Sequence, residues 1–239
     1  MNQNSTSLQA VARPVLNVRN LTAGYHRGAP VFKDLNLCIS GPLAHLQGRN
    51  GSGKSTLIEV IAGILEPWIG SVELLGEHPT TQRARSLRCI CRAEPALVPV
   101  LPVYLQVELI SRGLGIPADW LRERLDSYGL EPWLDTPAGE LSTGNLKKLW
   151  FVLGTAERRP LMILDEPFNG LDTGSVELLS REILQWTEQG SQVVVVAHEL
   201  PGALQPDQLV QLPDAGTRAT HGASRCSGTG RRATPDQTV

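Results

Sequence analysis

The sequence predicts an α/β fold built on a mostly parallel sheet. Three observations carry that expectation: strand-length apolar runs alternate with helical periodicities, a glycine-rich loop joins one strand to a helix, and another strand ends in paired carboxylates. At 239 residues the chain can bury one substantial core, or a core with a small subdomain.

Val15 to Val18 and Leu35 to Ile39 read as short strands, the second alternating Leu35, Leu37 and Ile39. Leu43 to Gln47 then leads directly into Gly48-Arg49-Asn50-Gly51-Ser52-Gly53-Lys54-Ser55-Thr56, which fits G-x-x-x-x-G-K-[ST]. Glycines let successive backbone N–H groups close around phosphate oxygens, and a helix starting there points its positive end at the same charge. Lys54 is placed to reach the β/γ-phosphates and Ser55 to bind Mg2+. Leu57, Ile58, Ile61, Ala62 and Leu65 repeat at helical spacing until Pro67, so Lys54 and Ser55 stand at a helix start.

Ser71 to Leu75 and Leu87 to Cys91 read as two more strands, after which Pro95, Pro99 and Pro102 punctuate the chain. Leu105 with Leu109, then Leu121, Leu125 and Tyr128, mark two amphipathic helices, and residues 90–145 read as a helical subdomain inserted into the core. A helix carrying Leu146, Leu149, Trp150 and Leu153 precedes the buried-strand pattern Leu161 to Leu164. Val176, Leu179, Ile183 and Trp186 form the next helix, and Val193 to Val196 the next strand.

The strand at Leu161 ends in Asp165-Glu166, two carboxylates at the C-terminal edge of a central strand, where α/β sheets bind ligands. One can bind a metal and the other an attacking water. An acidic pair capping a helix is the plainer alternative, and it loses weight because the glycine loop needs both a Mg2+ ligand and a base.

The net charge of −2 without a long basic block gives no reason to expect a nucleic-acid partner. No apolar run approaches the length of a membrane span. Residues 1–14 read as a flexible segment rather than a secretory signal, which places the chain in the cytosol. Four cysteines without framework spacing agree with a reducing compartment, and Cys89 and Cys91 lack the further ligands a zinc site needs. Residues 213–239 shift to Gly, Thr, Ser, Arg and Ala and read as a disordered tail, in which Arg225, Arg231 and Arg232 are solvated or touch phosphates or anionic lipid.

Leu141-Ser142-Thr143-Gly144-Asn145, just before a helix and about twenty residues ahead of the acidic strand, looks like the LSGGQ signature of the ABC-type ATPases. The chain resembles the nucleotide-binding subunits of ABC transporters over residues 15–212. Tyr25 stands where that family has an adenine-stacking aromatic, Asn169-Gly170-Leu171-Asp172 where it has the D-loop, and His198 where it has the switch histidine. Taken alone, Tyr25 is equally an ordinary loop aromatic, His198 an edge histidine, and Ser142 with Gly144 a helix cap.

The resemblance implies a RecA-like P-loop NTPase core with an antiparallel β subdomain and the inserted helical one. It implies an ATPase using ATP and Mg2+, in which Gly48, Asn50, Gly51, Ser52, Gly53, Lys54, Ser55 and Thr56 cradle the phosphates and Asp165 holds the metal with Ser55. Glu166 would polarise the attacking water and His198 would bind the γ-phosphate. Two subunits, identical or different, would sandwich ATP head to tail, so that Ser142, Gly144 and Asp172 complete the site of the partner copy. An integral membrane permease is the implied partner, with this chain cytoplasmic and peripheral on the inner face of the cell membrane, and the short core resembles the export-type branch. A soluble ABC ATPase serving as an assembly or regulatory factor is the rival reading.

The chain departs from the family pattern in two places. Ala93 stands where the family carries a glutamine near Mg2+, which predicts a slower or differently coupled ATPase, with Glu94 acting through a water or the metal managing with Ser55 and Asp165. Thr143 and Asn145 replace a glycine and a glutamine of the signature, while Gly144, the nearer phosphate donor, is retained.

Overall fold

The structure, a computed structural model, describes residues 14–215. The expectations for the extreme N-terminus and the arginine-bearing tail lie outside the described residues.

Two sheets organise the chain. β1 (Leu16–Ala23) pairs antiparallel with β2 (Phe32–Ile39) on one side and with β4 (Ile69–Leu74) on the other. The second sheet is parallel, built from β5 (Arg88–Cys91), β6 (Leu161–Asp165), β7 (Gln192–Val196), β3 (Leu43–Gln47) and β8 (Gln208–Gln211), in that spatial order. Its strands run the same way, so the loops after β3, β5, β6 and β7 gather at one edge, where the candidate site lies.

Alternation along each central strand decides which layer a side chain joins. Leu161 and Ile163, Val194 and Val196, and Ala44 and Leu46 face a core shared with the antiparallel sheet and with α1 (Lys54–Ile61), through Leu57, Ile58 and Ile61. Met162 and Leu164, with Val193 and Val195, face the opposite core. That core is made with α5 (Thr143–Gly154), through Leu149, Val152 and Leu153, and with α6 (Thr173–Glu188), through Leu179 and Ile183. A strand apolar on both faces is the consequence of being covered twice.

Between β5 and β6 the chain leaves the sheet to form α3 (Val103–Leu114) and α4 (Ala118–Ser127). Main-chain bonds pinch the excursion shut at its base: Val103 donates to the Thr136 carbonyl at 3.1 Å and Ala138 to the Leu101 carbonyl at 3.0 Å. An ionic knot ties α4 to α6. Arg124, buried, donates to both carboxylate oxygens of Glu182, at 2.9 and 2.7 Å, and to the carbonyls of Val152 and Thr155. Tyr128 donates to the same carboxylate at 3.1 Å, and burial beside that negative group pushes the phenol well above its usual range.

Several details differ from the sequence reading. A short helix, α2 (Gln82–Leu87), capped by the Thr81 hydroxyl, takes Leu87, so the strand starts at Arg88. Ile90 and Cys91 pair with Ile163 and Leu164 and belong to the parallel sheet, so the helical excursion starts after them. β8 carries no apolar run, and it exists because its backbone closes the edge of β3.

Candidate functional site

The loop after β3 is shaped by two glycines in the left-handed region, Gly51 at φ 81° and Gly53 at φ 93°. At Gly53 the constraint is also steric, since an added Cβ would fall 2.6 Å from Phe32 Cζ and 2.7 Å from Val31 Cγ1. No side chain caps α1, so its first N–H groups stay directed at whatever occupies the loop. The Ser52 hydroxyl is buried without a hydrogen-bond partner among the described residues, an orphan of the kind a phosphate oxygen satisfies.

Lys54 crosses the loop. Its ammonium donates to the Gly48 carbonyl at 2.8 Å and approaches Glu166 Oε1 at 3.4 Å. Glu166 follows β6 with φ 48°, a conformation costly for a residue with a side chain. Its N–H, bonded to the Val196 carbonyl at 2.7 Å, anchors the turn to β7, and Asn169 Nδ2 donates to its Oε2 at 3.2 Å. Thus the carboxylate is aimed from both ends.

Asp165 ends β6 and is 7% exposed. Burial pushes its carboxyl above the usual carboxylate range, against the opposing pull of the Ala93 N–H, which donates to Oδ2 at 3.4 Å. Gly51, Gly53, Lys54, Ser55, Thr56, Asp165 and Glu166 line one cleft of about 430 Å3, with Asn50 and Ala93 on its wall. Glu94 is exposed and does not line it. No cluster of three or more His, Cys, Asp or Glu side chains suited to a metal occurs among the described residues. One buried carboxylate beside one serine hydroxyl is too small a set for an all-protein cage. It suits Mg2+, which keeps waters and takes its remaining ligands from phosphates. The residues therefore fit a Mg2+–nucleotide.

The other predicted site residues lie outside this cleft. Tyr25 flanks it, 55% exposed, its hydroxyl donating to Glu59 Oε2 at 2.8 Å and accepting from Thr56 at 3.5 Å. The exposed His198 ring comes no closer to a carboxylate than 3.9 Å from Glu199, while its carbonyl accepts from Gln47 Nε2 at 2.8 Å. Ser142 caps α5 by accepting from the Asn145 N–H at 3.2 Å, as expected of a serine in front of a helix. At Gly144 a Cβ would meet the Gly170 carbonyl at 3.2 Å, so the helix start and the 169–172 segment touch closely. Lys147 donates to the Asn169 carbonyl at 2.8 Å, and Lys148 pairs at 2.5 Å with Asp172, which caps α6 through Ser175. The Lys148 ammonium, with the Ser175 N–H, holds the Asp172 carboxyl well below the usual range.

Sequence reasoning missed Glu59, Arg92, Trp150, Lys147 and Lys148. Glu59 and Arg92 pair at 3.1 Å, and the Trp150 indole N–H donates to the Arg92 carbonyl at 2.7 Å. Of these, only the two lysines carried a local signal, as paired cations in the first turns of a helix.

A family model of ABC transporters matches residues 32–169. The chain belongs to the ABC transporter ATP-binding family. It is 32% identical over 170 residues to a cytochrome c biogenesis ATP-binding export protein, CcmA, of Novosphingobium aromaticivorans, covering 71% of this chain and 81% of the relative. A manganese transport system ATP-binding protein, MntB, of Bacillus subtilis is 26% identical over 193 residues, covering 77% of each chain. Among solved structures, the ATP binding subunit of an ABC transporter superposes with a TM-score of 0.73 at 27% identity, covering 84% of this chain and 86% of that one. The fold is thus the P-loop NTPase fold of ABC ATPases. Membership implies ATP binding and hydrolysis, and ABC ATPases typically take their nucleotide with Mg2+.

Proposed function

We propose that the chain is the ATP-binding and ATP-hydrolysing subunit of an ABC transporter, working through a separate membrane permease and as a head-to-tail dimer. One observation supports this reading: of the two segments that the family resemblance directs at phosphate, only one lines the cleft. The cleft contains Lys54, Asp165 and Glu166, whereas the capped start of α5, with Ser142 and Gly144, does not line it. Each feature is half a site, and a second copy turned head to tail supplies the other half.

In the assembled site the loop N–H groups, the Ser52 hydroxyl and Lys54 hold the phosphates, while Ser55 and Asp165 hold Mg2+. When bound, Mg2+ neutralises charge developing on the phosphate oxygens. Glu166, held by Asn169, accepts a proton from the attacking water, and Lys54 exchanges its 3.4 Å contact with Glu166 for the phosphates. His198, on the loop after β7, swings from Glu199 to the γ-phosphate, and Tyr25 stacks the base. Ser142, Gly144 and Asp172 act across the dimer. Hydrolysis removes the charge that bridges the two copies, and the dimer opens.

No helix among the described residues is long and apolar enough to cross a membrane. In this reading the permease is a separate chain, and the ATPase sits on the cytoplasmic face of the membrane, in the export-type branch. The Glu166→Gln variant tests the sandwich: with ATP and Mg2+ it is expected to run at twice the monomer mass in size-exclusion chromatography, and a monomer under those conditions rules the sandwich out. Affinity recovery from cells in mild detergent tests the partner. A multispanning protein is expected, and a purely soluble partner replaces the transport reading with that of an assembly or regulatory factor.

A further inference from the structure

Two hydrogen bonds converge on a single peptide unit at the C-terminal end of β5. The Arg92 carbonyl accepts from Trp150 Nε1 at 2.7 Å, and the adjoining Ala93 N–H donates to Asp165 Oδ2 at 3.4 Å. Trp150 lies about two turns along α5 from its cap Ser142, and Asp165 is the carboxylate at the head of the cleft. The Arg92 side chain fixes the same unit from a third direction. Its Nη2 meets Glu59 Oε1 at 3.1 Å, on the helix that follows the phosphate loop, and Glu59 Oε2 accepts from Tyr25 at 2.8 Å.

An amide whose carbonyl accepts a hydrogen bond is polarised, and its neighbouring N–H becomes a stronger donor. That donor occupies Asp165 Oδ2, whereas Oδ1 makes no hydrogen bond among the described residues. A carboxylate held by one oxygen presents the other in a fixed direction. Such outer partners of a metal ligand commonly contribute about 10–100-fold in metal affinity or activity. The bond at 3.4 Å is long and sensitive to small displacement, while the Trp150 bond is short, so motion of α5 passes through the peptide to Asp165.

We propose that the Arg92–Ala93 peptide is a positioning element for the Asp165 carboxylate, set by Trp150 on α5 and steadied by the Arg92–Glu59 pair, so that the position of α5 controls how Asp165 receives Mg2+. It rests on the ATPase reading above. The coupling is reciprocal: Mg2+–nucleotide in the cleft favours the α5 position in which Trp150 is bonded to Arg92.

The test uses the full chain and calorimetric affinity for a slowly hydrolysed ATP analogue, with Mg2+ and with EDTA; the ratio of the two measures what the metal adds. Trp150→Phe keeps the ring and deletes the donor. That ratio is expected to fall about 3–10-fold, about half of the full outer-partner effect on a logarithmic scale, with affinity in EDTA within about twofold of the parent. Steady-state hydrolysis should need a correspondingly higher Mg2+ concentration for half-saturation. Arg92→Ala, at an exposed side chain that puts folding at little risk, should shift the ratio in the same direction by a smaller factor. An unchanged ratio in both variants overturns the proposal, and so does a lowered Tm with the ratio intact, which marks Trp150 as packing alone. A parent chain that binds no nucleotide refutes the ATPase reading itself, whereas a parent that binds normally beside indifferent variants refutes only the peptide's role.

Discussion

Two ion pairs in this molecule are buried to a similar degree and serve opposite ends. Arg124–Glu182 spans 2.7 Å with side chains 9% and 16% exposed, and Lys54–Glu166 spans 3.4 Å with side chains 11% and 19% exposed. Around the first, the polar demand is met: Arg124 reaches the Thr155 hydroxyl, two carbonyls and both Glu182 oxygens, and its guanidinium lies 5.2 Å from the Phe151 ring centre and 5.8 Å from that of Trp186. Around the second, among the described residues, Ser52 Oγ has no partner and Asp165 holds one long bond, and a cleft opens beside them. Saturated polar groups fasten the helical excursion to the core. Unsaturated ones facing a cavity are what a triphosphate and its metal satisfy.

The contrast breaks most sharply at the two glutamates. Glu166→Gln is expected to lower ATP turnover by about 10²-fold or more while Tm stays within about 2 °C, read by phosphate release beside calorimetry. Glu182→Ala should do the reverse, because it leaves Arg124 buried without its counter-charge. About 3–5 kcal/mol of stability is lost, a Tm drop of roughly 6 °C or more, with turnover per folded molecule nearly unchanged.

The loop glycines offer a smaller contrast. Gly53→Ala meets Phe32 and Val31 in addition to the unfavourable φ, and nucleotide affinity should fall by about 30-fold or more. At Gly51 an added Cβ meets nothing within 4 Å, so Ala there bears only the conformational cost, about 1 kcal/mol, and affinity should fall by about 5-fold. Equal losses at both positions would mean that φ alone matters.

The smallest effect sharpens the notion of an unsatisfied carboxylate. Because the folded carboxyl of Asp165 is raised, the folded chain binds a proton more readily than the unfolded one. The associated stability is present below the unfolded pKa and is lost as pH rises through the folded value. Burial disfavours the ionised carboxylate, so Asp165→Asn should raise the Tm of the nucleotide-free chain at pH 7.5, by about 2–4 °C for each kcal/mol of desolvation relieved. The gain should shrink toward pH 4. A constant gain across that range removes ionisation as the cause.

Much of the fold was legible because it is written in contiguous stretches. A strand, a glycine loop and a helix in unbroken succession, Leu43 to Ile61, need only local rules, as does an all-apolar strand ending in Asp165-Glu166. Short elements resisted. β8 shows one buried residue, Val210, in four, and α2 is six residues long, so neither offers a period to count. Pairings over long separations resisted altogether: Arg92 with Glu59 across 33 residues, Trp150 with Arg92 across 58, and Arg124 with Glu182 across 58.

Residue type and spacing alone thus determined the glycine turn between β3 and α1, the acidic strand end and the cap of α5, because backbone conformation and helix starts follow from neighbours in the chain. Which charges become saturated, and which are left facing the cleft, was settled only when β3, β6 and β7 packed side by side and α4, α5 and α6 closed over one face. Burial is a property of the whole packed chain. Arg124 and Lys54 look alike as cations in the sequence, and only their surroundings make one a buried tether between helices and leave the other beside an open cleft.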